Sequence, residues 1–324
     1  MTVRSITIEK GAPGYAAVNS NTNKMYISYT LANFIIVLNL EKGTIENKIQ
    51  LINPGNIAVN HVTNKVYVSS ADGICEIDSL SNQFEMINTG LPHSEGTVDV
   101  NPMTDLLYTT CFGHDILTVI DATTRSIADK IPVGKNPKGV AVDSSTNKVY
   151  VANYDSYSIS IIDCYKSNQI VDTIIFEGEG SSSRKINPSF VLVNELSNLL
   201  YVKTDYFSGG EGGAWQGKIL SVINLDTKQE IKFRTLPKNS QIAFAFNRKS
   251  NTIYMMRRGE RSILKFDSFT KEMLDILIFE QSSIWRRVSG IDFTYFAEII
   301  AVNPSTNKVY VSDSKSNLLY EIDG

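Results

Sequence analysis

Three features of the 324-residue sequence predict an all-β chain folded as a seven-bladed β-propeller of four-stranded antiparallel blades. One short phrase returns seven times, its anchoring tyrosines lie 41, 41, 42, 51, 53 and 56 residues apart, and each interval contains four short apolar runs. A period near 40 also suits helical arrays, so the pattern within each unit decides, and no unit sustains a helical 3.6-residue period. The surplus over 41 or 42 falls in the later spacings only, so something is added to a regular ring.

The phrase is clearest as Ala17, Val18, Asn19, then Thr22, Asn23, Lys24, Met25, Tyr26. It returns with tyrosines at Tyr67, Tyr108, Tyr150, Tyr201, Tyr254 and Tyr310, worn in the third, fifth and sixth copies. The fourth unit shows the four runs best: Gly139 to Asp143, Val149 to Ala152, Ser158 to Asp163 and Gln169 to Phe176. The Thr-Asn-Lys element supplies an asparagine for a tight hairpin that needs a positive φ. An Asp or Asn closing the third run (Asn39, Asp78, Asp121, Asp163, Asn224, Asp267, Asp323) supplies the next turn. The chain ends on a third run, and the missing fourth lies at the other end. Residues 3–8 therefore complete the seventh blade and close the ring, so that residues 1–324 form one domain.

Composition bounds the rest. Basic and acidic side chains number 31 and 34, for a net charge of −3, and mean hydropathy is −0.10. That balance disfavours nucleic acid as a partner, and no apolar run is long enough to span a membrane. The start of the chain alternates in strand fashion, which predicts a cytoplasmic protein as the sequence stands; a removed signal peptide would make it secreted or cell-surface. Cys75, Cys111 and Cys164 lie in separate repeats with no C-x-x-C spacing and read as buried or half-buried thiols.

Tyr150, Val151, Ala152 and Asn153, with the Asn-Lys-Val-Tyr-Val runs at 64–68 and 307–311, resemble the Tyr-Val-Thr-Asn β-propeller repeat family. The resemblance spans nearly the whole chain and implies scaffold and binding roles more than catalysis. More distantly the chain is similar to streptogramin lyases and quinoprotein-like propellers. The lyases use magnesium with histidine and glutamate, and the sector of this chain enlarged by insertions has no histidine, a departure that speaks against a lyase.

Three insertions, at 177–189, 204–218 and 280–298, fall in outer-to-inner or second-to-third connections, which emerge on one side of a ring of antiparallel blades. They enlarge blades 5 to 7. Both tryptophans, Trp215 and Trp285, lie in them, and six of the ten arginines lie in the same sector: Arg184, Arg257, Arg258, Arg261, Arg286 and Arg287. With Lys185 and Tyr206 these form a candidate binding surface, since arginine and tryptophan dominate interface energies and arginine grips oxyanions in a fork. The formal charges of these segments and of 257–261 cancel. The surface therefore points to a protein partner or a small anionic ligand. The glycine-rich stretch 208–214 matches no phosphate-binding loop and reads as a mobile tip beside Trp215, a candidate lid.

No catalytic motif occurs, so no cofactor is expected from motifs. A divalent metal could be held by His93, Glu95, His114 and Asp115, two loop pairs on one face of blade 3. Two readings result: a non-enzymatic, monomeric recognition scaffold, and a metal-dependent lyase- or hydrolase-like enzyme on the same face.

Overall fold

The computed structural model describes residues 3–91, 96–166, 168–176, 185–208, 215–231, 242–257, 262–268, 273–278, 299–313 and 316–324. They form seven antiparallel four-stranded sheets arranged as blades. Blade 1 comprises Tyr15–Asn19, Lys24–Tyr29, Phe34–Asn39 and Thr44–Gln50, in that order from the centre outward. Blades 2 to 6 repeat the plan. Among the described residues helix is confined to two 3-10 turns, Thr30–Ala32 and Cys164–Lys166, and no helix is long and apolar enough to cross a membrane.

Closure follows the expected course. Val3–Thr7 pairs antiparallel with Leu318–Asp323, from Val3 opposite Ile322 to Thr7 opposite Leu318, and the Ile8 N–H donates to the Asn317 carbonyl. Arg4 donates to the Leu40 and Glu41 carbonyls of blade 1, so the closing strand also ties blade 7 to its neighbour. Ile6 and Ile8 are buried in the core between those blades.

Alternation within each strand places one apolar set on each face, and adjacent blades bury these faces against each other in seven separate cores. The seven repeat tyrosines lie in these cores, none more than 3% exposed. Several hydroxyls reach the next blade: Tyr26 donates to Ser79 Oγ, Tyr108 to Cys164 Sγ and Tyr201 to the Ser268 carbonyl. Cys75 and Cys111 are buried, Cys164 is half-buried, and none of the three forms a disulfide.

The repeat asparagines do more than turn the chain. Every inner hairpin spans four residues, and its last residue (Asn23, Asn64, Asp105, Asn147, Asn198, Asn251, Asn307) has φ between 51° and 56°. Asparagine and aspartate tolerate this left-handed conformation better than other non-glycine residues. The residue ending each inner strand caps the turn: Asn19, Asn60, Asn101, Asp143, Asn194, Asn247 and Asn303 each accept from the N–H two positions on. Their amide groups then cross to the next blade. Asn19 Nδ2 donates to Asn64 Oδ1, Asn60 to Asp105, Asn101 to Asn147, Asn194 to Asn251, Asn247 to Asn307, and Asn303 to Asn23, at 2.7–3.3 Å. The circle breaks once, between blades 4 and 5, because Asp143 has no proton to donate. There Glu195 Oε1 accepts from both the N–H and the hydroxyl of Ser144.

The described parts of the first two insertions lie on the opposite face, and there the connections are shorter than the sequence suggests. Blade 5 extends Lys185–Asn194, Leu199–Ser208 and Trp215–Asn224 to ten residues each. Residues 185–189, 204–208 and 215–218 are therefore strand rather than connection. The pairs Lys185 with Phe207 and Ser208 with Trp215 continue the ladder outward past the ring. The tip at 209–214 and the insertion at 280–298 lie outside the described residues.

Removing residues 1–8 exposes one face of the blade 7 to blade 1 core and leaves Leu318–Asp323 an open edge. The milder Ile6→Ala should cost about 2–4 kcal/mol in chemical denaturation, and the truncation more; a truncated protein that unfolds like the parent would refute closure by this strand.

Candidate functional site

On the insertion face, three of the sequence-derived contact residues share one sheet. Lys185 opens the inner strand of blade 5, Tyr206 pairs with Ile186 and Gly217, and Trp215 opens the third strand opposite Ser208. A hydrogen-bonded ladder of three strands therefore sets their backbone positions. Arg257 ends the second strand of blade 6, at the same face, opposite Ile242. Arg184, Arg258, Arg261, Trp285, Arg286 and Arg287 lie outside the described residues.

The proposed metal set divides in the same way. His93 and Glu95 lie outside the described residues, whereas His114 and Asp115 are exposed in the second-to-third connection of blade 3. That connection is held by its backbone: His114 N–H donates to the Cys111 carbonyl, and its own carbonyl accepts from Ile116. Asp115 Oδ1 accepts the Asn136 N–H at 2.9 Å, so this carboxylate holds the neighbouring blade's loop. Among the described residues no three His, Cys, Asp or Glu side chains are grouped to hold a metal ion.

A second charged set, which the sequence reading did not single out, gathers where the inner hairpins surround the channel on the turn face. Asp99 occupies an inner-strand position held by alanine in blades 1, 2, 4, 6 and 7 (Ala17, Ala58, Ala141, Ala245, Ala301). Its carboxylate accepts from the N–H groups of Val142 and Val100. Burial holds its pKa above the ordinary carboxylate value, against those hydrogen bonds and the pull of Arg248. His61, Glu195 and Arg248 occupy one repeat position, immediately after the capping asparagine, in blades 2, 5 and 6. Arg248 Nη1 lies 3.8 Å from Glu195 Oε2. The His61 pKa is lowered by burial first and by Arg248 second. The sequence carried a signal for this set: non-repeat residues at repeat positions.

Asp99 has a definite pH signature. Because its folded pKa is raised, the folded state keeps a proton that the unfolded chain has lost, and stability falls as pH rises from the ordinary carboxylate value through the folded one. Asp99→Asn should therefore raise the unfolding midpoint at pH 7, with the advantage vanishing below the ordinary carboxylate range. An Asp99→Asn protein less stable than the parent at pH 7 would contradict this account.

No family model and no curated protein matches the chain. Among solved structures, the fold is similar to Kuenenia stuttgartiensis hydrazine synthase, at 14% identity over 98% of this chain and 97% of that one, with a TM-score of 0.74. It is also similar to the β-propeller domain of Myceliophteria thermophila Cps50 (Swd1), at 11% identity over 99% of this chain and all of that one, with a TM-score of 0.67. At these identities the likeness is one of fold: the chain is a seven-bladed β-propeller.

Proposed function

We propose that the chain is a non-enzymatic recognition scaffold, a monomeric relative of the Tyr-Val-Thr-Asn repeat propellers, that binds a protein partner or a small anionic ligand through the insertion face over blades 5 to 7. The observation that carries this reading is the extended sheet of blade 5. Four extra residue pairs beyond the Thr204–Ile219 pair, at roughly 3.4 Å each, raise its hairpin about 14 Å. Residues on such a ladder are better positioned than residues on a free loop, which favours a preorganised contact surface. The arginines of blades 5 to 7 supply directional donors on a sector whose formal charge is zero. Fold likeness does not choose between binding and catalysis, since the neighbours include a synthase as well as a propeller domain.

Two variants test the reading. In the first, residues 209–214 are replaced by Asn-Gly and Arg286 and Arg287 by glutamine; in the second, His61 and Arg248 on the opposite face become alanine. The scaffold reading expects a partner held by the parent and the second variant, with affinity reduced at least ~tenfold in the first. Equal retention by both variants contradicts it. Stoichiometric metal in the purified parent, lost on His93→Ala with His114→Ala, would establish the metal-dependent enzyme instead.

A further inference from the structure

A third departure from the repeat lies on the insertion face, over blades 3 to 5. The position five residues before the capping residue is glycine in blades 1, 2 and 3 (Gly14, Gly55, Gly96), and a Cβ at Gly96 would fall 2.0 Å from the Thr110 carbonyl. Blade 4 has Lys138 there. Its strand has a register shift there, as blade 5 has at Ser189: Pro137 faces Asn153 and Gly139 faces Ala152, leaving Lys138 as the bulged residue. Bulges of this kind re-aim a side chain and are common beside functional sites.

The re-aimed ammonium reaches two aromatic rings that are themselves departures from the repeat. Phe112 and Tyr154 occupy the same position in consecutive blades, four residues after the repeat tyrosine, where blades 1, 2 and 5 have Thr30, Ala71 and Asp205. Lys138 Nζ sits 3.9 Å from the Tyr154 ring centroid and 4.6 Å from that of Phe112, and the rings meet edge to face at 6.5 Å. Lys138 is half-buried, and among the described residues it forms no ion pair. The two nearby loop carboxylates are directed elsewhere: Asp115 accepts from the Asn136 N–H and Asp155 from its Nδ2. Beside Tyr154, Asn187 donates Nδ2 to the Tyr154 carbonyl, while its Oδ1 is buried and, among the described residues, has no hydrogen-bond partner.

We propose that Lys138, held between Phe112 and Tyr154, anchors a binding site for a small carboxylate. The aromatic faces hold the ammonium in a partly desolvated position, where its attraction for an anion exceeds that of a solvated lysine. A single cation with no arginine fork matches one carboxylate better than a phosphate dianion. The site shares blade 5 with the surface assigned above but uses none of its named contact residues, so either assignment can fail without the other.

The test uses the full chain with lysines reductively methylated with 13C. The Lys138 resonance is displaced by the two rings and is assigned by its loss in Lys138→Met. Titration with lactate should move that resonance with a dissociation constant in the ~mM range. Phosphate should move it at least ~tenfold more weakly, and calorimetry should show lactate binding reduced at least ~tenfold in Lys138→Met. Phe112→Leu, which keeps the lysine, should weaken binding while the thermal melt stays close to the parent's. An unmoved Lys138 resonance at saturating lactate overturns the proposal, as does equal lactate affinity in parent and Lys138→Met, or a preference for phosphate. If Lys138→Met fails to fold, the titration of the parent and of Phe112→Leu decides.

Discussion

In six of the seven blades the side-chain amide that ends the inner strand makes two bonds in addition to the chain's own ladder. Its oxygen closes the hairpin that follows, and its NH₂ group grips the left-handed residue of the next blade's hairpin. The main chain at that left-handed residue then accepts from the residue after the third strand: Leu40 to Asn23, Ser79 to Asn64, and so on to Gly324 and Asn307. One face of the ring is thus fastened within each blade and between neighbours. A buried amide of this kind nets about 1 kcal/mol when made, and leaving its partner unsatisfied costs about 1–3 kcal/mol. Several such links in a circle explain why the inner hairpins keep one length of four residues.

Among the described residues the opposite face has individual interblade bonds but no repeated amide link, and its connections vary accordingly. The second-to-third connection has two residues in blade 2, between Ser70 and Gly73, and five in blade 3, between Thr110 and Ile116. In blade 5 the same connection continues as sheet. The fold therefore confines sequence variation to one side, where a surface can diversify without disturbing blade geometry. The bulged Lys138, the extended hairpin of blade 5 and the strand end at Arg257 all stand on that side.

Much of the fold was legible because repetition supplies its own alignment. Strand order, turn positions and closure by the first strand follow from one phrase read seven times. The second role of the asparagines was not legible, since a bond from Asn101 to Asn147 spans 46 positions and leaves no local pattern. The extent of the insertions differs from the sequence expectation for a related reason: Tyr206 and Phe207 carry no turn chemistry, and the chain stays in strand to Ser208, just before the glycines that begin at Gly209. Asp99 and Lys138 were visible as misfits, an acid among alanines and a lysine among glycines. Their environments depend on neighbouring blades, which a linear reading does not place.

The interblade amide is most directly tested by a double-mutant cycle on Asn101 and Asn147, using Asn101→Ala and Asn147→Gly so that the left-handed backbone position is kept. The account predicts a coupling energy of about 1 kcal/mol in equilibrium unfolding, with each single change destabilising. Additive effects, with coupling indistinguishable from zero, would show that the amides only turn the chain and that the ring is held by its apolar cores alone.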